Sequence, residues 1–355
     1  MKTLEACYEI NLNKVNFIER KQRITHPKTI INGPSKVGKS YLIFDFLSNF
    51  KNEDYIYVDF LDMRNDKKEI ELELDSFLRA KKIKVLVLEN FDFSFDLPYC
   101  DNIIITTNIN KKIRGFKNIF IKALDFEEYL LHDTRHQNTI VSFNNFLKYG
   151  NLSEIVNLDE NKRVQRLQEL LILQNKDATD FEILKILIEN IDEKKSIFQL
   201  FNTLKSKIKI SKDRFYDTCS RLQENNTIYF LQKYNQEKAN KKIYLYNHSF
   251  LNVISHNKKL KNEFSNMIFL ELIGKYSDVF YLDNIDFYIP KENSAIVAIP
   301  FFNSFLMKNQ LKKVHKSIKE NKIDKLFIVT ISNEEKFKLN DIQVEVLPFY
   351  EWALT

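Results

Sequence analysis

An α/β fold is what this 355-residue sequence predicts, and three observations carry the prediction. Short β-branched runs alternate with helical apolar patterns from residue 24 to residue 135, the pattern left by crossover connections between parallel strands. Two of only five glycines, Gly33 and Gly38, fall in one loop between the first such run and the first helical pattern. The last hundred or so residues again mix strand-like runs with helices, so a second α/β region is expected. A chain of this length predicts two or three domains, and a hydrophobic fraction of 44% supplies cores for them.

In the first region the runs are Thr29–Asn32, Tyr55–Phe60, Val85–Glu89, Asn102–Thr107 and Asn118–Lys122. Residues 136–180 lack strand signals and read as helical, with "VQRLQELLIL" amphipathic. Residues 181–247 read as three helices and two short strands, 227–233 and 241–246, around the polar tip "NQEKANKK". Residues 248–355 open on the helix "NEFSNMIFLELIGKY" and continue through "VFYL", "DFYIP" and "AIVAIPFF". A helix from Asn303 to Glu320 and the strands "KLFIVTIS" and "VEVLPF" complete the chain. Boundaries are therefore expected at 135/136, 180/181 and 247/248.

Composition narrows the function classes. Cys7, Cys100 and Cys219 are far apart with no CxxC, which argues against a disulfide framework or a zinc site. The six histidines form no HxH or HExxH pattern. The start carries charges where a signal peptide needs an apolar core, and the longest apolar runs fall far short of a membrane span, so a cytoplasmic protein with no membrane partner is expected. The net charge of +6 permits an acidic partner without demanding one.

The chemistry is concentrated at Gly33-Pro34-Ser35-Lys36-Val37-Gly38-Lys39-Ser40, which fills the pattern GxxxxGK[ST]. Glycines at both ends let backbone N–H groups turn toward phosphate oxygens, and the lysine adds a point charge. The serine hydroxyl can ligate Mg²⁺, and the helix that starts there, with Tyr41 in its first turn, offers its positive end. ATP or ADP with Mg²⁺ is thus the expected ligand. A second acid is required, and "KVLVLENFD" supplies Glu89 at a strand end, as a metal ligand or as a simple strand cap. Asn90 follows where a proton-accepting glutamate is usual, and Asp92 lies two positions further on. Thr106 and Thr107, ending "NIIITT", are the candidates for sensing the γ-phosphate, so Lys39, Glu89 and Thr107 form the expected catalytic set. Arg64 and Arg114 are further candidates to face phosphate, or are simply solvated.

These residues resemble a large family of prokaryotic AAA-type P-loop ATP-binding proteins. "INGPSKVGKS" is similar to its Walker A motif and "VLVLEN" stands where its Walker B motif ends. "KALDFEEYLLHD", "FLKYGNLSEIV" and "KKIYLYNHSFLNVI" are similar to later segments in the family's order. The resemblance implies an additional-strand core with strand order 5-1-4-3-2 over residues 1–135. It implies a helical lid over 136–180, a winged helix over 181–247 and a restriction-endonuclease-like α/β domain over 248–355. For that last domain it implies a metal site, for which Glu271 and Asp286 are candidates by position. Ala298, Ile299 and Pro300 stand where its Glu-x-Lys should fall, and Lys291 and Glu292 lie in the turn before. Nuclease activity is therefore not expected.

Residues 197–234 follow helix–turn–helix logic, with Phe198, Leu200 and Leu204 on one helix and Phe215, Cys219 and Leu222 on the next. Lys207, Lys209, Lys212, Arg214 and Arg221 are expected on the outer face, as a groove-entering helix requires. Double-stranded DNA is one partner such a face predicts, and a docked protein or a second copy of the chain is the other. Three functions follow: an ATPase or ATP-operated switch, a scaffold that holds nucleotide without hydrolysing it, and a nuclease, for which a ligand is missing.

Overall fold

The apolar runs of the N-terminal region become strands because a sheet covered by helices on both faces can bury every side chain along them. The computed structural model describes residues 2–12, 20–109, 111–340 and 342–355. The chain divides into two units, Met1–Ala123 and Leu124–Thr355.

The first unit runs α1 (Lys2–Tyr8), β1 (Lys28–Asn32), α2 (Lys39–Leu47), β2 (Tyr55–Asp59), α3 (Lys67–Lys81), β3 (Val85–Glu89), β4 (Asn102–Thr106) and β5 (Lys117–Phe120). Its five strands are parallel, in the order β2-β3-β4-β1-β5, which from the other edge is the expected 5-1-4-3-2. All five positions of β3 are buried. Helix α3 begins where Asp66 accepts from Lys68 N and Glu69 N, and ends at Lys82 in the left-handed region. It buries Ile70, Leu74, Phe77 and Leu78, one stripe at helical spacing, against the sheet. Register places Asp59 opposite Glu89 and Ile31 opposite Thr106, so the carboxyl ends of β1 to β4 are level. In open α/β sheets that edge is where ligands bind.

The second unit runs α4 (Phe126–His132), α5 (Thr139–Tyr149), α6 (Ser153–Val156), α7 (Glu160–Leu173), α8 (Ala178–Glu189), α9 (Ile197–Lys205), α10 (Lys212–Glu224), β6 (Ile228–Leu231) and β7 (Lys242–Leu245). It continues with α11 (Phe250–Ile254), α12 (Leu260–Lys275), β8 (Phe280–Leu282), β9 (Ile285–Ile289) and β10 (Ser294–Ala298). It closes with α13 (Lys308–Asn321), β11 (Lys325–Thr330), β12 (Glu335–Leu339), β13 (Ile342–Pro348) and α14 (Phe349–Trp352). Strands β6 and β7 pair alone, and the other six form a mixed sheet in the order β12-β13-β11-β10-β9-β8.

The boundary between units falls twelve residues before the expected 135/136. Asp125 and Glu128 close a capping box that starts α4 at once. Phe126 then packs on Phe146, Phe349 and the rest of a core shared with Phe264 of α12. Segments expected as lid and C-terminal domain are thus welded through one aromatic cluster. Strand β12 was not expected: its residues Glu335, Lys336, Phe337, Lys338 and Leu339 are short of apolar signal, and its lysines suit an exposed sheet edge. No helix among the described residues is long and apolar enough to cross a membrane.

Candidate functional site

The loop after β1 is shaped by backbone that side chains would obstruct. Gly33 has φ +155°, and a Cβ there would lie 2.3 Å from the carbonyl oxygen of Ile121. Lys36 at φ 64° and Gly38 at φ 97° carry the chain round in the left-handed region. Pro34 and Val37 are buried beneath the turn, while Ser35 and Lys36 are exposed. Arg20 braces the loop, donating from Nη1 to Val37 O at 2.7 Å and from Nη2 to Lys122 O at 2.9 Å. Gly38 is the N-cap of α2 and, as a glycine, brings no side-chain cap to it, and none is made there among the described residues. Its first-turn amides are therefore left for something else to satisfy.

Lys39 folds back over the loop, with Nζ donating to Gly33 O at 2.9 Å and Pro34 O at 2.7 Å. Burial pulls its pKa down to about 8, with Lys36 pushing the same way and Glu89 opposing. Ser40 Oγ donates to Glu89 Oε1, across to the end of β3. Glu89 is 6% exposed, and its Oε2 is buried with no hydrogen-bond partner among the described residues. Burial raises its pKa, against the Ser40 hydroxyl and the Lys39 charge. A hydroxyl beside an unpartnered carboxylate oxygen is a fitting pair of hard ligands for a small divalent cation. Tyr41, 46% exposed, is on the outer side of the first turn.

Thr106 and Thr107 are both buried, with different duties. Thr106 Oγ1 accepts from Asn90 N at 2.9 Å and so holds the turn after β3. Thr107 Oγ1 accepts from Ile109 N at 3.1 Å, which leaves its own proton to donate. Asn90 stands at φ 57° and donates from Nδ2 to Asp59 Oδ1 at 2.8 Å. Asp92 is exposed and accepts from Ser94 N at 3.1 Å, a contact that lowers its pKa. Arg64 is exposed and paired with Asp62 at 2.6 Å, and Arg114 is exposed on the turn before β5. Asp59 and Arg20 are the residues sequence reasoning missed here. Asp59 had a signal, an acid ending the strand next to β3, and Arg20 had none.

In the second unit the expected basic face is only partly present. Lys207, Lys209 and Lys212 are exposed, but Arg214 and Arg221 turn to Asp180 of α8, each at 2.6 Å. Asp180 has no exposed surface, so two guanidinium groups are spent neutralising one buried carboxylate. Phe198 is also corrected. It is 51% exposed, with Lys212 Nζ 5.7 Å over its ring, and Phe201 takes its place in the core beside Leu200 and Leu204.

Glu271 accepts from Phe126 N at 2.7 Å, the buried start of α4. Asp286 accepts from Lys261 Nζ at 2.8 Å, Lys242 Nζ at 3.1 Å and Ala298 N at 2.9 Å. The same two ammonium groups reach Asp192, at 2.8 and 2.7 Å, and Tyr244 donates to it as well. Although burial opposes it, these charges hold Asp286 far below the usual carboxylate range. This cluster lines a cleft of about 530 Å³. Lys291 and Glu292 lie in the single turn after β9. Among the described residues no group of three or more His, Cys, Asp and Glu side chains could hold a metal ion together.

No family model matches the chain. An uncharacterized protein of Methanocaldococcus jannaschii is 24% identical over 392 aligned residues, spanning 92% of this chain and 88% of the relative. The likeness thus runs through both units.

Proposed function

We propose that the Gly33–Ser40 loop and the carboxyl edge of the five-stranded sheet form a P-loop site for ATP and Mg²⁺. The observation that carries the proposal is Glu89, whose Oε1 accepts from Ser40 while its Oε2 stays buried and unpartnered. Burying such an oxygen without a partner is costly, and a cation would complete it. Gly33, which has no room for a Cβ, and the uncapped amides of α2 would cradle the phosphates, with Lys39 leaving its two carbonyl partners for the β- and γ-oxygens. Ser40 and Glu89 would hold Mg²⁺, which supplies charge neutralisation on the phosphates when bound. Thr107, with its proton free to donate, would report on the γ-phosphate.

In this reading the protein is an ATPase or ATP-operated switch whose second unit engages a partner. Residues 181–247 are read as a winged helix and residues 248–355, with the six-stranded sheet, as a nuclease-like fold whose acids serve structure. Exposed Lys207, Lys209 and Lys212 suit duplex DNA, but the loss of Arg214 and Arg221 to Asp180 leaves a smaller basic face. That shifts weight toward a protein partner or a second copy. A scaffold that holds nucleotide without hydrolysis is the second reading, favoured by the amide at Asn90. MgATP turnover with and without duplex DNA, beside Lys39→Ala, separates these. Turnover that rises with DNA and vanishes in the variant supports the coupled ATPase. Binding without turnover, indifferent to DNA, supports the scaffold, and no binding by the wild type overturns both.

A further inference from the structure

Asn90 leaves the metal-side strand without a proton acceptor, and the carboxylate that meets it comes from the neighbouring strand. Asp59 ends β2 opposite Glu89 of β3. Asn90 Nδ2 and Leu61 N both donate to Asp59 Oδ1, at 2.8 and 2.9 Å. Among the described residues no hydrogen bond reaches Asp59 Oδ2, and the side chain is only partly buried. Both partners are held in place. Asn65 Nδ2 donates to Asp59 O at 2.8 Å, and Thr106 fixes the backbone of Asn90. Asp92, the other acid nearby in sequence, is turned to its own loop.

We propose that Asp59 accepts the proton of the attacking water in ATP hydrolysis, a task displaced by one strand from the position Asn90 holds, with Asn90 as its positioning residue. This rests on the nucleotide site proposed above. The water oxygen bonds to the γ-phosphorus, and the bond from that phosphorus to the β,γ-bridging oxygen breaks. ADP leaves with the electron pair, and the water proton passes to the Asp59 carboxylate and then to solvent. Asparagine and aspartate both tolerate the left-handed backbone at position 90, so the two side chains can be swapped without strain.

The test measures MgATP affinity by titration with a fluorescent ATP analogue and phosphate release, for wild type, Asp59→Asn, Asn90→Asp and the exchanged double variant. Asp59→Asn keeps the acceptor oxygen for Leu61 and Asn90, so folding and MgATP affinity are expected within about threefold of wild type. Phosphate release is expected to fall about 100-fold or more, the range of a lost general base. The exchanged variant is expected to regain at least tenfold over Asp59→Asn because a carboxylate again faces the site, and the retained MgATP affinity of Asp59→Asn separates its loss of turnover from a structural one. Wild-type turnover in Asp59→Asn overturns the proposal, as does a wild type that binds MgATP without turning it over. If Asp59→Asn fails to bind nucleotide, the exchanged variant decides alone: recovered binding without recovered turnover also overturns it. Absence of binding in the wild type itself marks failure of the nucleotide site rather than of Asp59.

Discussion

Glu89 in the first unit and Asp286 in the second are both acids for which sequence position raises the question of a metal, and their surroundings are opposite. Glu89 is buried beside a single hydroxyl and keeps an unpartnered oxygen, so burial raises its pKa. Asp286 is surrounded by two ammonium groups and a backbone amide that leave it ionised at any ordinary pH. The first environment leaves a carboxylate oxygen unpartnered among the described residues, which is why a cation is proposed there. The second is complete within the chain. Position on a strand therefore raises the possibility of a ligand, and the state of the remaining lone pairs decides it.

The largest expected effect is at Asp286. Asp286→Ala leaves Lys242 and Lys261 sharing Asp192 alone and is expected to lower unfolding free energy by about 3–5 kcal/mol in urea titration. EDTA should leave the midpoint of Glu89→Gln unmoved; a midpoint that still responds to the chelator in that variant would mean that Asp286 serves a metal after all. Next in size is Gly33→Ala, where a Cβ 2.3 Å from Ile121 O forces the loop to shift. A loss of about 1–3 kcal/mol, with nucleotide affinity falling alongside, is expected. Undiminished MgATP binding by that variant would show that the tight turn is not the cradle.

A pH titration sharpens the first side. With Lys39 at about 8, its ammonium charge is lost from the free loop as pH rises through that value. MgATP affinity should be flat below it and weaken above it, approaching tenfold per unit at most. Stability moves the other way, rising between about 8 and the ordinary lysine value, because there the unfolded chain binds more protons than the folded one. A pH-independent affinity across that window would remove Lys39 from the phosphates. The smallest effect concerns the basic face. Arg221→Gln should cost about 1 kcal/mol, because Arg214 still pairs Asp180, and should leave duplex affinity unchanged. Replacing Lys207, Lys209 and Lys212 together should reduce both any duplex affinity and its salt dependence. Equal loss from Arg221→Gln would restore the arginine to the outer face.

Much of the first unit was legible because its signals are local. Strands β1 to β5 lie within two residues of the apolar runs that predicted them, and their order is the one the resemblance implied. Gly33 and Gly38 were legible because few backbones need those torsions. The rest depends on pairings distant in sequence. Asp180 lies 34 and 41 residues from Arg214 and Arg221, and helical spacing alone cannot show which face it draws them to. Lys261 meets Asp286 across 25 residues, and Asn90 meets Asp59 across 31. Phe198 and Phe201 share a helix, and only the placement of α8 and α10 decides which is buried.

The most direct test of the nucleotide site is a calorimetric titration of MgATP into the full chain and into Lys39→Ala at neutral pH. The account predicts one saturable site in the wild type and at least about a 100-fold weaker affinity in the variant, a difference of about 2.7 kcal/mol. Equal affinity in the two proteins, or no heat of binding in either, would contradict it.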